Sequence, residues 1–346
     1  MVKAIICGYY GQANAGDEAL LLAILARLPD NVEPIVLSAN PHKTSNDYGV
    51  TCCSRKEIVQ QIWQANEQDL FIWGGGSLIQ DVTSIKSPLY YLGLMKLAQF
   101  KGLKTIAYAQ GIGPVNTPWI RWLTKKILQK CDRISVRDQK SAQLLKSWQV
   151  EYLIASDPVW ALPSKPISNL NLIPSPRIAI NLRSHHSLTL ERLEIITEAI
   201  VELQAQTKAN ILLVPFQKSQ DLQVCEQVAK KLNSNYQIIH LENPQQLKGL
   251  WSQIDMMIGM RLHSLIMAMS EKCPCFALSY DPKVTSLMRE VGIEGYELEA
   301  LPTVVSDITE KILQKYCNLD TLSDKIIQNL ANSALQHQYL IDSLIQ

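Results

Sequence analysis

Short apolar runs alternate with amphipathic stretches along most of the 346 residues, and this alternation limits the fold more than any other feature. The runs have the length of strands, and the stretches have the apolar spacing of helices. Such repetition predicts parallel sheets with helices on both faces. In the first half the predicted strands are Lys3–Cys7, Asp69–Trp73, Thr105–Ala109, Ile134–Val136 and Glu151–Ile154, and the predicted helices are Asp17–Leu28, Pro88–Phe100 (with Ser87 as N-cap), Trp119–Lys130 and Asp138–Trp148.

A cluster of five prolines between 158 and 176 interrupts the alternation and predicts a linker. The pattern then resumes, so we expect two doubly wound, Rossmann-like α/β domains facing each other across a cleft. Their predicted bounds are 1–160 and 177–303, joined by a Pro-rich linker over 161–176; two helices within 304–346 are expected to pack back on the N-terminal domain. Predicted strands of the second domain are Ile178–Leu182, Asn210–Pro215, Gln237–Leu241, Met256–Gly259 and Cys275–Ser279; predicted helices are Thr189–Gln206, Gln220–Leu232, Pro244–Gln253, Leu262–Ser270, Pro282–Val291, about 304–315 and 320–344.

Charge excludes some classes of function. The 33 Lys and Arg nearly balance the 32 Asp and Glu, and no Lys/Arg-rich run is evident, so we expect no nucleic-acid partner and no broad positive field toward an anionic membrane. No apolar stretch approaches the roughly 18 residues of a spanning helix, and no secretion signal is visible. We therefore expect a cytoplasmic protein, peripheral at the inner face of the membrane. The eight cysteines match no zinc or disulfide spacing and are expected to be small buried side chains.

Ligands of open α/β sheets bind beyond the carboxyl ends of the strands, and the unusual residues of this chain follow predicted strands. The first loop has the Gly11–Gly16 spacing of a phosphate-binding loop, but Asp17 and Glu18 would repel a triphosphate. Asn14 and Asp17 either bind ligand hydroxyls or only start a helix. The run from Gly74 to Gly76 predicts either a helix N-terminus that meets a ligand with its backbone or a tight turn.

Cations follow several other strands. Arg261 and His263 open a predicted helix, where the helix dipole favours an anion. A guanidinium binds carboxylate or phosphate with two parallel hydrogen bonds, and a histidine can transfer a proton. With Arg137, Arg183 and Lys283, these residues predict a cationic pocket. The alternatives are an Arg137–Asp138 ion pair at a helix start, a surface ion pair at Arg261, a backbone-bound His263, an exposed Lys283 and a solvated His185–His186 loop.

Several segments together resemble the bacterial polysaccharide pyruvyl transferases, in the branch that modifies cell-wall or surface-layer-anchoring glycans. Their order along the chain makes the combination specific, and they cover both predicted domains. They are Gly8-Tyr9-Tyr10-Gly11, Asn14-Ala15-Gly16-Asp17-Glu18, Trp73-Gly74-Gly75-Gly76-Ser77, Gln110-Gly111-Ile112-Gly113-Pro114, Ser135-Val136-Arg137-Asp138, Gly259-Met260-Arg261-Leu262-His263-Ser264 and Tyr280-Asp281-Pro282-Lys283.

The resemblance implies a GT-B-like fold and an enzyme that transfers the pyruvyl group of phosphoenolpyruvate to a glycan hexose, as a 4,6-linked ketal, with release of phosphate. The acceptor would be a glycan, and the sequence leaves open whether it is lipid-linked. No other cofactor is implied, and the absence of Asp-x-Asp and HExxH motifs predicts no catalytic metal. The catalytic residues would be His263, Arg137, Arg261 and Lys283, with Ser264 and Arg183 added in the donor site of the C-terminal domain. The acceptor side, in the N-terminal domain, would hold Tyr10, Asn14, Gly16, Asp17, Gly75, Gly76, Ser77 and Asp81.

Two other functions fit the same pattern. A GT-B-like glycosyltransferase or sugar-nucleotide epimerase would share the fold and a cationic cleft but would bind a nucleotide. A non-catalytic glycan-binding protein would have no need of the cationic residues. The sequence does not reveal the acceptor sugar or the oligomeric state.

Overall fold

The structure, a computed structural model, describes residues 1–82, 84–167, 170, 173–233 and 235–345. The chain forms two compact units. Unit 1 contains Met1–Leu162 together with Gln328–Gln346, and unit 2 contains Pro163–Ile327. Four residues of the predicted linker (168, 169, 171 and 172), and residue 346 of the C-terminal segment, lie outside the described residues.

Unit 1 is built on a parallel sheet. Seven strands are found in the part of the unit that the structure describes, in the order β3-β2-β1-β4-β5-β6-β7. The first strand lies beside the fourth, which is the switch point of a doubly wound fold. The strands are β1 (Val2–Tyr10), β2 (Val32–Ser38), β3 (Thr51–Cys53), β4 (Leu70–Ile79), β5 (Lys104–Ile112), β6 (Arg133–Val136) and β7 (Leu153–Ile154). The helices between them are α1 (Ala15–Leu25), α2 (Pro41–Tyr48), α3 (Ile58–Gln64), α4 (Lys86–Lys101), α5 (Pro118–Leu128) and α6 (Gln139–Ser147).

Unit 2 repeats this plan, since its described strands follow the order β10-β9-β8-β11-β12-β13 and pair in parallel. Its switch point lies between β8 and β11. The strands are β8 (Arg177–Asn181), β9 (Asn210–Leu213), β10 (Tyr236–Ile238), β11 (Met256–Gly259), β12 (Cys275–Ser279) and β13 (Gly295–Glu297). The helices are α7 (Leu190–Thr207), α8 (Lys218–Ala229), α9 (Pro244–Leu250), α10 (Leu262–Ser270), α11 (Pro282–Val291) and α12 (Val305–Asn318). The prediction of two doubly wound parallel α/β domains is confirmed.

Two strands of unit 1, β2 and β3, were not expected from the sequence. β2 contains Pro34, which lacks the N–H that a strand in the middle of a sheet normally donates. The pairing explains why proline is tolerated there: β3 joins β2 only from Ile35 onwards, so one side of Pro34 has no neighbouring strand. β3 has only three residues, too few for a visible pattern. The short strand β13 of unit 2 was missed for the same reason.

Two helix predictions were wrong in detail. Helix α4 begins at Lys86, so Ser87 lies in its first turn and does not cap it. The long helix predicted over 320–344 is interrupted by a 3-10 turn, Gln336–Gln338, between α13 (Asp324–Leu335) and α14 (Tyr339–Ile345). The boundary between the units falls within α13, whereas α12 packs on α7 of unit 2.

Each unit has its own apolar core. On one face of the unit 1 sheet, α3, α4, α5 and α6 bury a cluster that includes Trp73, Met95 and Leu145. The other face is covered by α1 and by α14, which contributes Leu340 and Ile341. Unit 2 buries a separate cluster under α7, α8 and α12. Of the eight unpaired cysteines five are buried, two are half-buried and Cys317 is exposed, so the expectation of buried thiols does not extend to Cys317.

Candidate active site

Tyr10 and Gly74 are hydrogen-bonded to each other at the switch point of unit 1, between β1 and β4. Tyr10 ends β1, is buried, and donates its hydroxyl hydrogen bond to the carbonyl oxygen of Gly74 in the neighbouring strand β4. A Cβ at position 74 would collide with the Tyr10 hydroxyl oxygen, so glycine is required there. Burial raises the pKa of Tyr10 well above its usual value. The structure thus gives Tyr10, predicted to bind acceptor, a bond within the sheet.

The glycine run does not open a helix, so that prediction was wrong. Gly74 to Gly76 belong to the extended end of β4, and α4 begins only at Lys86. Gly75 and Gly76 have positive φ angles of 71° and 90°, which bend the strand end. Gly75 packs on Leu20 of α1, and the Asp17 carboxylate lies 3.5 Å from the point that a Cβ on Gly76 would occupy. The structure therefore brings Asp17 and Gly76 together.

Asn14 starts helix α1. Its side-chain oxygen accepts a hydrogen bond from the Gly16 N–H at 3.2 Å, the geometry of an N-cap. The neighbouring Glu18 is buried and accepts from the Gly11 N–H at 2.8 Å and from the Tyr48 hydroxyl at 3.1 Å. Burial raises the pKa of Glu18, with the two hydrogen bonds acting against it. Asn14, Gly16 and Glu18 make hydrogen bonds within the loop. The Asp17 side chain, by contrast, is half-exposed.

Arg137 pairs with Asp157, not with the adjacent Asp138. The guanidinium Nη1 donates to Asp157 Oδ2 at 2.5 Å, and both side chains are only 6% exposed. Arg137 Nη2 lies 3.5 Å from the hydroxyl of Ser77, which brings two predicted site residues together. Asp138 instead caps α6, accepting from the backbone N–H of Ser141 at 2.8 Å.

Asp81 anchors the segment before α5. Its two carboxylate oxygens accept from the backbone N–H groups of Asn116 at 2.8 Å and Thr117 at 2.6 Å. Burial alone would raise the pKa of Asp81, but these hydrogen bonds outweigh it, so the pKa is lowered below its usual value. A role in binding acceptor hydroxyls would use the remaining lone pairs of the carboxylate.

In unit 2, Arg261 is buried against Asp221. Its Nε donates to Asp221 Oδ2 at 2.8 Å and its Nη2 to Oδ1 at 2.6 Å, a bidentate pair. The same carboxylate accepts the backbone N–H groups of Phe216 and Gln217, both at 2.9 Å. This excludes the surface ion pair considered for Arg261, since Asp221 is wholly buried.

The side-chain oxygen of Gln220 lies between the guanidinium groups of Arg183 and Arg261. Gln220 Oε1 accepts from Arg183 Nη2 at 2.7 Å and lies 3.4 Å from Arg261 Nη2. Arg183 Nη1 donates to the Tyr280 hydroxyl at 2.8 Å, and its guanidinium lies over the same ring. Its Nε is buried and has no hydrogen-bond partner among the described residues. Two guanidinium groups thus lie side by side at the switch point between β8 and β11, and one keeps an unused donor.

His263 and Lys283 lie in the first turns of α10 and α11, which follow the adjacent parallel strands β11 and β12. Both side chains are half-buried and both have contacts. Ser264, by contrast, is fully buried and its hydroxyl binds Asn181 Oδ1 at 2.8 Å and the Arg261 carbonyl at 2.7 Å. These bonds fix the turn that carries Arg261.

The loop with His185 is not simply solvated. The His185 ring packs 4.7 Å from Tyr280 and 4.0 Å from His186 between ring centroids. Partial burial lowers the pKa of His185, and the nearby His186 and Arg183 lower it further. Sequence reasoning also missed Gln217, Gln220 and Asp221; the only available signal was their place just after the strand β9, which neighbours β8.

Comparison with known proteins identifies the class of fold first. The chain is similar to the UDP-GlcNAc 2-epimerase of Neisseria meningitidis, with 12% identity, a TM-score of 0.68, and coverage of 99% of this chain and 100% of that one. It is also similar to a putative UDP-N-acetylglucosamine 2-epimerase of Listeria monocytogenes (10% identity, TM-score 0.67, coverage 99% and 95%) and to MurG of Acinetobacter baumannii (10%, 0.52, 99% and 99%). At such identities the likeness shows the fold alone, which is GT-B-like.

Residues 14–282 match the family model of polysaccharide pyruvyl transferases, so the chain belongs to the polysaccharide pyruvyl transferase family. No curated protein matches the sequence significantly. Among the described residues, no three His, Cys, Asp or Glu side chains gather as a metal site would require. Nor does any described helix have both the length and the apolar character needed to cross a bilayer.

Proposed function

We propose that the protein transfers the pyruvyl group of phosphoenolpyruvate to two hydroxyls of a glycan hexose, forming a 4,6-linked ketal and releasing phosphate. The family membership supports the reaction class. The observation that carries the donor assignment is the arginine pair, Arg183 and Arg261, joined by Gln220 at the switch point of unit 2. A three-carbon substrate with both a carboxylate and a phosphate needs such concentrated positive charge.

The donor site combines three kinds of anion recognition. Arg261 is held rigid by Asp221, so its guanidinium is preorganised in position. Arg183 offers its unpartnered Nε. His263 and Lys283 add side chains at two helix starts, where the positive end of the helix dipole also favours an anion. Arg137 remains a donor candidate, with its charge largely balanced by Asp157.

The reaction requires a proton at the methylene carbon and two additions at C2. Protonation of the methylene gives an oxocarbenium-like centre, and the first sugar hydroxyl adds to it with loss of its proton. Departure of phosphate regenerates the cationic centre, and the second hydroxyl adds, passes its proton to the released phosphate and closes the ketal. We assign the proton transfers to His263 and stabilisation of the departing phosphate to Arg261, Arg183 and Lys283. Asp17, beside Gly76, is the best candidate to orient an acceptor hydroxyl.

Release of inorganic phosphate from phosphoenolpyruvate tests the reaction. We expect release that depends on a glycan acceptor, measured across synthetic and lipid-linked disaccharides. In parallel, thermal shift should show stabilisation by phosphoenolpyruvate and none by UDP-sugars. The reverse pattern would favour a nucleotide-sugar enzyme of the same fold. Glycan binding without any phosphate release would favour a non-catalytic protein.

Replacing His263 tests the proton-transfer role. His263→Ala should lower the turnover of phosphoenolpyruvate by about 10²–10⁴-fold, the usual contribution of a general acid or base. Its binding of phosphoenolpyruvate should change much less. The exposed His240 is the matched control, and His240→Ala should react at the wild-type rate. A His263→Ala protein with unchanged turnover would remove His263 from the mechanism.

A further inference from the structure

One stretch of the chain is far more basic than the whole. Residues 82–131 contain eight Lys or Arg and no Asp or Glu, although the net charge of the protein is only +1. The imbalance is easily overlooked because it comes from missing acids rather than from a run of bases. This stretch forms α4, β5 and α5 of unit 1, with the two helices on the same face of the sheet.

Helix α5 exposes aromatic side chains together with these cations. Its inner stripe, Ile120, Thr124, Ile127 and Leu128, is buried in the core. Its outer side carries Trp119 and Trp122, which are 51% and 59% exposed, with Arg121 and Lys126 exposed beside them and Lys130 just beyond the helix end. The helix contains no acidic residue. The outward side of α5 is thus half aromatic and half cationic.

The neighbouring helix repeats the pattern. α4 packs against both α3 and α5, and Gln99 Nε2 of α4 donates to the Ile127 carbonyl of α5 at 2.9 Å. At its end Phe100 is 74% exposed and meets the half-exposed Trp63 of α3 edge-on. The ammonium of Lys101 lies 5.8 Å from the centroid of the Trp63 ring. We call the outer sides of α4 and α5, with Trp63, the basic aromatic face.

We propose that the basic aromatic face docks on an anionic lipid bilayer. Exposed tryptophans are unfavourable in water but stable at the boundary between headgroups and acyl chains. Lysine and arginine beside them gain from anionic headgroups while their stems cover apolar surface. A polyanion such as nucleic acid would use the cations alone and would leave the four aromatic side chains in water.

The basic aromatic face begins next to a candidate acceptor residue, Asp81. Asp81 binds the N–H groups of Asn116 and Thr117, which immediately precede α5. Trp119 therefore follows directly on a segment that Asp81 anchors. If the acceptor is a lipid-linked glycan, a point that rests on the proposed function, docking would bring the acceptor side of unit 1 to the membrane surface. Vesicle binding itself does not depend on that function.

Vesicle co-sedimentation of the full chain tests the proposal. We expect binding to vesicles of phosphatidylcholine with 30% phosphatidylglycerol, about tenfold or more above binding to phosphatidylcholine alone, and weakening as salt rises. Lys126→Ala with Lys130→Ala should weaken binding by about 30-fold, because each surface cation contributes roughly a factor of five. The matched control is Lys140→Ala with Lys146→Ala on the adjacent helix α6, which removes the same charge from exposed positions.

The tryptophans are tested separately. Trp119→Ala with Trp122→Ala should weaken binding by about tenfold and remove the blue shift of tryptophan fluorescence that vesicles induce. Leu190→Ala with Tyr339→Ala, at exposed apolar positions outside the face, is the control and should bind like the wild type. Circular dichroism melts show whether each variant is folded.

Three results would overturn the proposal: no binding of the wild type to anionic vesicles at low salt, an equal loss in the α6 control, or binding to a DNA duplex that exceeds vesicle binding and is unaffected by the tryptophan changes. Failure of the proposed function looks different. In that case vesicle binding would persist while phosphoenolpyruvate is not consumed with any acceptor.

Discussion

The arginines of the candidate site differ in what holds them, and this difference determines what each can do. Arg261 and Arg137 each face a buried carboxylate, so their guanidinium groups are fixed and their charges are compensated. Arg183 is held only by neutral partners, Gln220 and the Tyr280 hydroxyl. Its charge is therefore the least compensated of the three, and an incoming anion would gain most from it.

Removing Asp221 should show how strongly Arg261 depends on its partner. Asp221→Ala leaves a buried guanidinium unpaired and two backbone N–H groups without their acceptor, so the free energy of unfolding should fall by about 3–5 kcal/mol. Urea denaturation measures this loss. Asp47→Ala is the control, since Asp47 pairs with Lys43 on the surface and should cost under about 1 kcal/mol. Equal losses would contradict the argument from burial.

Residue patterns predicted the strands and helices that carry the candidate donor residues better than they predicted the partners of those residues. The ends of β11, β12, α10 and α11 agree with the prediction, because local signals such as the Asp281 cap and Pro282 set them. The partners Asp157 and Asp221 lie 20 and 40 residues from their arginines, and no local spacing encodes such pairing. For the same reason Tyr10, Asn14 and Ser264 were assigned to ligand binding, whereas the structure gives their polar groups bonds within the protein.

At the scale of elements, a buried histidine is one of the contacts that hold the C-terminal segment in unit 1. His337, in the 3-10 turn between α13 and α14, makes hydrogen bonds to the Ser135 hydroxyl at 2.8 Å and the Ser156 carbonyl at 2.9 Å. The Ser156 carbonyl can only accept, so Nε2 carries the ring hydrogen, and in the neutral ring Nδ1 accepts from the Ser135 hydroxyl, which itself accepts from the Ala109 N–H. The neutral ring thus satisfies all these bonds, and burial lowers the pKa of His337 to about 4.

This burial should make stability fall in acid. The unfolded chain takes up a proton on His337 near pH 6.5, whereas the folded chain does so only near pH 4. Between these values the unfolded state binds more protons, so the free energy of unfolding should decrease by about 1.4 kcal/mol per pH unit as pH falls. Urea denaturation between pH 7.5 and 4.5 measures it. His337→Gln should have a smaller pH slope than the wild type, and exposed His240→Gln an unchanged one; identical slopes in all three would refute the assignment.

At the scale of the whole molecule, unit 1 is not one continuous stretch of the chain. Unit 1 is completed by residues that follow all of unit 2 in the sequence. The alternation of strands and helices predicted both sheets, since parallel strands need helical connections. Both final helices were expected on the N-terminal domain, whereas α12 packs on α7 of unit 2, because an apolar stripe does not identify its partner. The overall charge was similarly uninformative, since +1 conceals the acid-free stretch over 82–131.

Truncation after Ile327 should therefore weaken unit 1 and not unit 2. The truncated chain loses Leu340 and Ile341 from the unit 1 core and also the hydrogen bonds of His337. The apolar area that the two side chains bury contributes about 3–6 kcal/mol to the free energy of unfolding. Hydrogen exchange should then accelerate in β5, β6 and β7, whereas β8 and β11 should keep their protection, because the unit 2 core contains no residue of the removed segment. A synthetic peptide of residues 328–346 should restore protection in unit 1. Equal acceleration in both sheets would mean that the final segment stabilises more than the core it enters.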